Sequence, residues 1–149
     1  MRALGFALAA ALLAAPTAAA AQTSADSAAI RAAATDYIQG WYDADGPRMQ
    51  RAVHPDLAKR IVRRDPAGGG DRVSHMDAAR LVGGAAAKAS DPAERRRQEI
   101  TILDVYDDMA SVKLVAQDWV DYLHLGRVDG KWVIVNVMWD TGPAARPRP

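Results

Sequence analysis

Along this chain the apolar residues change period once, from helical spacing in the first part to strand alternation after about residue 99, and that order restricts the fold more than any other feature. From Ser24 onward, Ile30, Ala33, Ala34, Tyr37, Ile38 and Trp41 recur at three- and four-residue steps, so one face of an amphipathic helix is a core face. Gly40 within it either permits a close approach or marks a fraying end. Asp43 to Gly46 breaks this helix, and Pro47 suits the first turn of a shorter one carrying Met49, Ala52 and Val53. His54-Pro55 ends that second helix, because a residue before proline is pushed out of the α region. Lys59 to Arg64 reads as a short strand and Asp65 to Asp71 as a loop. Ser74 with Asp77 reads as a cap opening a helix through Leu81 and Val82 that Gly83-Gly84 closes, with a long connection from Ala85 to Arg97.

Ile100 to Tyr106, Ala110 to Leu125 and Lys131 to Trp139 are then strands, rich in Val, Ile, Leu and Trp. Asp129-Gly130 is a strong hairpin signal, since a type I′ turn needs positive φ at both central positions, and Asp107-Asp108 is a weaker one. Helices first and long antiparallel strands last imply an α+β domain in which helices cover one face of a bent sheet.

The stretch MRALGFALAAALLAAPTAAAAQ has the order of a secretory leader: Arg2, an apolar run to Ala15, Pro16, then small residues at Ala19 and Ala21. Cleavage is expected after Ala21, leaving one domain over 22–140 and a disordered Pro-rich tail over 141–149, in a periplasmic or secreted protein. The apolar run is too short and too rich in alanine for a permanent membrane anchor. Losing Arg2 from the 19 Lys and Arg leaves 18 against 18 Asp and Glu, a balance that argues against a nucleic-acid binder. The absence of cysteine excludes a disulfide scaffold, a thiol nucleophile and a thiolate metal site. Of the 3 His, no two stand at i, i+4, so no metal is expected. Gly68 to Gly70 lacks the Lys-Ser or Lys-Thr of a phosphate loop, no serine stands in a G-x-S-x-G setting, and no cofactor is expected.

If Ala110 to Leu125 is one strand between two-residue turns, Val112, Leu114, Tyr122, His124, Val137 and Trp139 share one sheet face. Lys113, Trp119, Asp121, Leu123, Ile134 and Met138 share the other. A bulge in the middle strand would exchange the faces and put Asp121 with Asn136 in a pocket instead of Tyr122 with His124.

The segments AATDYIQGWYDADGPRMQRAVHPDLAKR, ITILDVYDDMASVKL and WVDYLHLGRVDGKWVIVNVMW resemble the putative lumazine-binding family of the nuclear transport factor 2-like (SnoaL-like) superfamily. The resemblance runs from about Ile30 to Trp139 and implies a cone: three N-terminal helices wrapped by a curved antiparallel sheet, a pocket between them, and a homodimer through the sheet. That superfamily holds isomerases, dehydratases, cyclases, hydrolases and non-catalytic binding domains, so fold alone does not select the activity.

Tyr122 and His124, two residues apart on a strand, would aim a phenol and an imidazole into one pocket, or be structural groups satisfied by neighbours. His54 stands where a chain reversal delivers side chains to a pocket mouth, or caps its helix. Tyr37, Trp41 and Trp139 would stack on a planar ligand, or supply core bulk in a mature chain without Phe. The leading expectation is a pocket domain for a small apolar or aromatic molecule, lined by these residues, with Arg60 or Asp121 fixing a polar end. The alternatives are an isomerase, dehydratase or cyclase with His54 or His124 as base and Tyr122 as hydrogen-bond donor, and a structural dimer without a ligand.

Overall fold

The computed structural model of the protein describes residues 18–65 and 67–142. The expected leader therefore lies outside the described residues except for its last four positions, which open α1, and the expected tail lies outside them from residue 143. No described helix is long and apolar enough to cross a membrane.

Helix α1 spans Ala18–Tyr42, and its predicted stripe is the buried one: Ile30, Ala34, Tyr37 and Ile38 all face the core. Gly40 is a packing glycine, because a Cβ there would stand 2.8 Å from the backbone nitrogen of Met49 in α2 (Gly46–Ala52). The α1–α2 turn works as read: Ala44 has φ 56°, and the Asp45 carboxylate accepts from the Arg48 N–H at 2.9 Å. Helix α3 spans Ala78–Ala87. Its cap is Asp77, which accepts from the Arg80 N–H at 2.8 Å, and Ser74 lies instead in a strand. The helix continues through Gly83-Gly84, since Leu81 and Ala85 on either side anchor it in the core.

Two strands precede the predicted set. Strand β1 is Val53–Arg63, far longer than the short strand expected, and it begins where the second helix ends. Its pairing is irregular between Val53 and Ala58, where Pro55 has no N–H to give the ladder. Strand β2, Arg72–Asp77, has almost no buried residue and so no apolar alternation to betray it. A short 3₁₀ turn, Ala93–Arg95, punctuates the long connection, and the Asp91 N–H ties that connection to the Tyr42 carbonyl at 2.7 Å.

Strands β3 (Glu99–Tyr106), β4 (Met109–Val115), β5 (Trp119–Val128) and β6 (Lys131–Thr141) complete a six-stranded curved, open sheet of order β2-β1-β6-β5-β4-β3. The helices pack on one face of it, giving the α+β architecture. The sheet is mixed rather than wholly antiparallel, because β1 pairs with β6 in parallel. Both hairpin turns stand where expected, with Asp107 at φ 50°, Asp129 at φ 49° and Gly130 at φ 75°.

The expected single strand Ala110 to Leu125 is in fact two. The Ala116 N–H donates to the Trp119 carbonyl at 2.9 Å, closing a hairpin over Gln117-Asp118. Ala116 thereby sits opposite Trp119, and even-numbered residues of β4 share a face with odd-numbered residues of β5. A register shift between His124 and Leu125 adds one residue to β6, so Ile134 and Trp132 point inward before it while Val137 and Trp139 point inward after it. The core face is thus Val112, Leu114, Asp121, Leu123, Ile134 and Val137, and the outer face carries Tyr122 and His124. The predicted faces are corrected by one two-residue turn and one bulge.

Candidate functional site

Strand β1 presents Leu57, Lys59 and Ile61 to the helices, and β5 presents Asp121, Leu123 and Leu125. Each row contains one charged residue in an otherwise apolar series, and the two meet. Lys59 Nζ lies 2.6 Å from Asp121 Oδ1, with Asp121 0% and Lys59 6% exposed. Lys59 also donates to the Tyr37 hydroxyl at 2.7 Å, and that hydroxyl donates to Asp121 Oδ2 at 3.3 Å. Trp119 Nε1–H completes the set by donating to Asp121 Oδ2 at 2.8 Å. No buried side-chain polar atom among the described residues lacks a partner.

Burial pushes the Lys59 ammonium down from the usual lysine range, opposed by the Asp121 carboxylate. Burial drives the Tyr37 phenol well above the ordinary tyrosine value, and the neighbouring Asp121 charge adds to that rise. The phenol therefore remains a proton-bearing hydrogen-bond donor through the neutral range.

Above this network lies a cavity of about 120 Å³, lined by Tyr37, Trp41, Met49, Lys59, Met76, Leu81, Trp119 and Trp139. Every layer contributes: α1 the first two, α2 and α3 Met49 and Leu81, and the sheet the rest. Trp41 and Trp119 meet edge to face with ring centroids 6.1 Å apart, and Lys59 Nζ sits 4.9 Å from the centroid of Trp139. An ammonium has three N–H bonds, and two are used on Tyr37 and Asp121, leaving one donor for a guest. An apolar cavity of about 150 Å³ admits benzene, so this one is of single-ring scale.

Residues 25–140 match the family described as "Putative lumazine-binding". The chain belongs to this family. Members of the nuclear transport factor 2-like fold are its structural neighbours. The chain is similar to a protein of unknown function from Shewanella baltica, with TM-score 0.62 and 19% identity over 80% of this chain and 96% of that one. A second, from Silicibacter pomeroyi, has TM-score 0.62 and 17% identity over 80% and 98%. A type 2 hexachlorocyclohexane dehydrochlorinase has TM-score 0.53 and 15% identity over 83% and 89%. At these identities the likeness is one of fold. Among curated proteins, none matches the chain in sequence.

Within this lumazine-binding family member, the structure brings Tyr37, Trp41 and Trp139 to the cavity wall and Asp121 beneath it. Four other candidates stand elsewhere. His54, at the start of β1, accepts from the Asp56 N–H at 3.1 Å. Arg60 faces away from the helices and donates to Asn136 Oδ1 at 2.9 Å. Asn136 Nδ2 in turn lies 3.0 Å from His124 Nδ1, and Tyr122 is 46% exposed on that same outer face. Sequence reasoning missed Lys59, Trp119, Met49, Met76 and Leu81. The signal for Lys59 was present, since a lysine between Leu57 and Ile61 on one strand face needs an acid partner.

Proposed function

We propose that the protein is an exported binding domain that holds a small planar aromatic or heteroaromatic molecule without transforming it. The observation that carries this reading is an aromatic-walled cavity whose polar floor is already satisfied. Asp121 accepts three hydrogen bonds and Lys59 spends two of its donors internally, so the floor orients a guest through one N–H. A general base needs an open lone pair facing its substrate, and this carboxylate, fully buried and engaged on both oxygens, does not line the cavity. His54, Tyr122 and His124, the groups an isomerase-type mechanism would use, do not border the cavity.

The family's name points toward a pteridine, whose two fused rings would fill the single-ring cavity with one ring and extend beyond it with the other, and a flat ring with a carbonyl acceptor suits indole walls and a lone ammonium donor. Thermal shift and tryptophan fluorescence across a panel of aromatic metabolites that includes lumazine test the proposal. It predicts a raised melting temperature and saturable quenching for flat heterocycles, and flat responses across the whole panel refute it.

Export and self-association belong to the same proposal. Processing after Ala21 would give a mature chain beginning at Gln22, checked by mass spectrometry of the exported product. A second copy would pack on the half-exposed outer strip of Val62, Tyr122 and Met138, and Tyr122→Glu is expected to yield monomers in sedimentation.

A further inference from the structure

We propose that the guest is an anionic aromatic, its ring in the inner cavity and a carboxylate-class group outside, between Arg63 and Arg80. This rests on the binding reading above and adds the charge of the ligand to it.

The inner cavity adjoins an outer cleft of about 380 Å³, and the two share Lys59, Met76 and Trp139 as lining residues. Arg63 from the end of β1, Ser74 from β2 and Arg80 from the first turn of α3 line this cleft. Arg63 holds its guanidinium 5.5 Å from the centroid of Trp139, a ring that also lines the inner cavity. No Asp or Glu lines the cleft. Asp77, the nearest in sequence, has its carboxylate on the Arg80 backbone N–H. His75 borders the cleft but pairs with Arg60 across β1–β2, which assigns its side chain to the outer face.

The contrast with the other arginines gives this cleft its meaning. Arg48, Arg95, Arg96, Arg97 and Arg127 each pair with a carboxylate, and of the seven described arginines outside any ion pair only Arg63 and Arg80 line this cleft. Two unpaired guanidinium groups and a hydroxyl at the mouth of an aromatic cavity match a ligand with an apolar ring and one anionic end. The floor repels nothing of that kind, because Asp121 is already paired with Lys59.

The test titrates the purified protein with 3-phenylpropionate, its neutral amide and 3-phenylpropylamine, following tryptophan fluorescence. The carboxylate is expected to bind about tenfold tighter than the amide, the amine weakest, with the preference shrinking as salt rises. Arg63→Gln/Arg80→Gln is expected to reduce the carboxylate to the affinity of the amide. Both side chains are exposed, and the Arg80→Gln single variant repeats the comparison if the double variant melts early. Equal affinity for amide and carboxylate overturns the charge assignment while leaving the pocket standing. A carboxylate preference that survives the double variant overturns the placement at Arg63 and Arg80. Binding of none of the three while a flat heterocycle of the panel still binds overturns this inference alone, and no response from the panel either overturns the binding reading with it.

Discussion

Replacing Asp121 with asparagine removes a carboxylate that is 0% exposed and takes hydrogen bonds from Lys59, Tyr37 and Trp119. Lys59, only 6% exposed, keeps its ammonium but loses its counter-charge at 2.6 Å. The amide nitrogen of asparagine can only donate, so at least one of the three donors also faces another donor. Breaking one side of a buried pair costs about 3–5 kcal/mol. A domain of this size has about 5–15 kcal/mol in total, so about a fifth or more of its stability is at stake. Lys59 has one way out, which is to lose its proton. Its folded value already lies below the unfolded lysine value of about 10.4, so stability rises as pH climbs between the two. Asp121→Asn widens that window, and its deficit should be larger near pH ~6 than near pH ~9. Urea unfolding followed by tryptophan fluorescence at both pH values measures this. Lys59→Met/Asp121→Leu removes both charges but leaves the Tyr37 hydroxyl and the Trp119 N–H without their acceptor, so it should recover only part of the loss. A deficit under about 1 kcal/mol at the lower pH, or a double variant weaker than Asp121→Asn, refutes the reasoning.

Gly40→Ala should destabilise by about 1–3 kcal/mol in the same assay, because its Cβ would meet Met49 backbone at 2.8 Å and α2 must move. In an alkaline titration followed at the phenolate absorbance, Tyr37 should ionise above the ordinary tyrosine range, and Tyr37→Phe should delete that late step. Because its folded value is raised, Tyr37 contributes stability below about pH 10 that fades as pH rises through the folded value. Tyr122→Phe/His124→Ala should leave aromatic-ligand affinity within about twofold of wild type, since both side chains stand on the outer face.

The helical half and the hairpin turns were legible because local chemistry decides them. Ile30, Ala34, Tyr37 and Ile38 announce a buried stripe, and Asp129-Gly130 a turn with positive φ. The exposed edge strand β2 was not legible, since nothing in Arg72 to Asp77 alternates in polarity. Nor was the parallel pairing of β1 with β6, which depends on contacts between distant segments. The site suffered most from parity. Gln117-Asp118 carries no glycine to mark a tight turn, yet closing there moves Tyr122 and His124 outward and Asp121 inward. Lys59 illustrates a readable feature that went unread: a lone base on the apolar face of one strand and a lone acid on that of another are each other's explanation.

Leu81 is buried and lines the same cavity as Lys59, so Leu81→Trp would fill space a guest would occupy. The most direct measurement is a fluorescence or calorimetric titration of wild type and Leu81→Trp with the tightest aromatic ligand found in the panel. Saturable one-site binding by wild type and its loss in a Leu81→Trp variant that still folds are the predicted results. Equal binding by the two proteins would place the ligand outside this cavity and contradict the account.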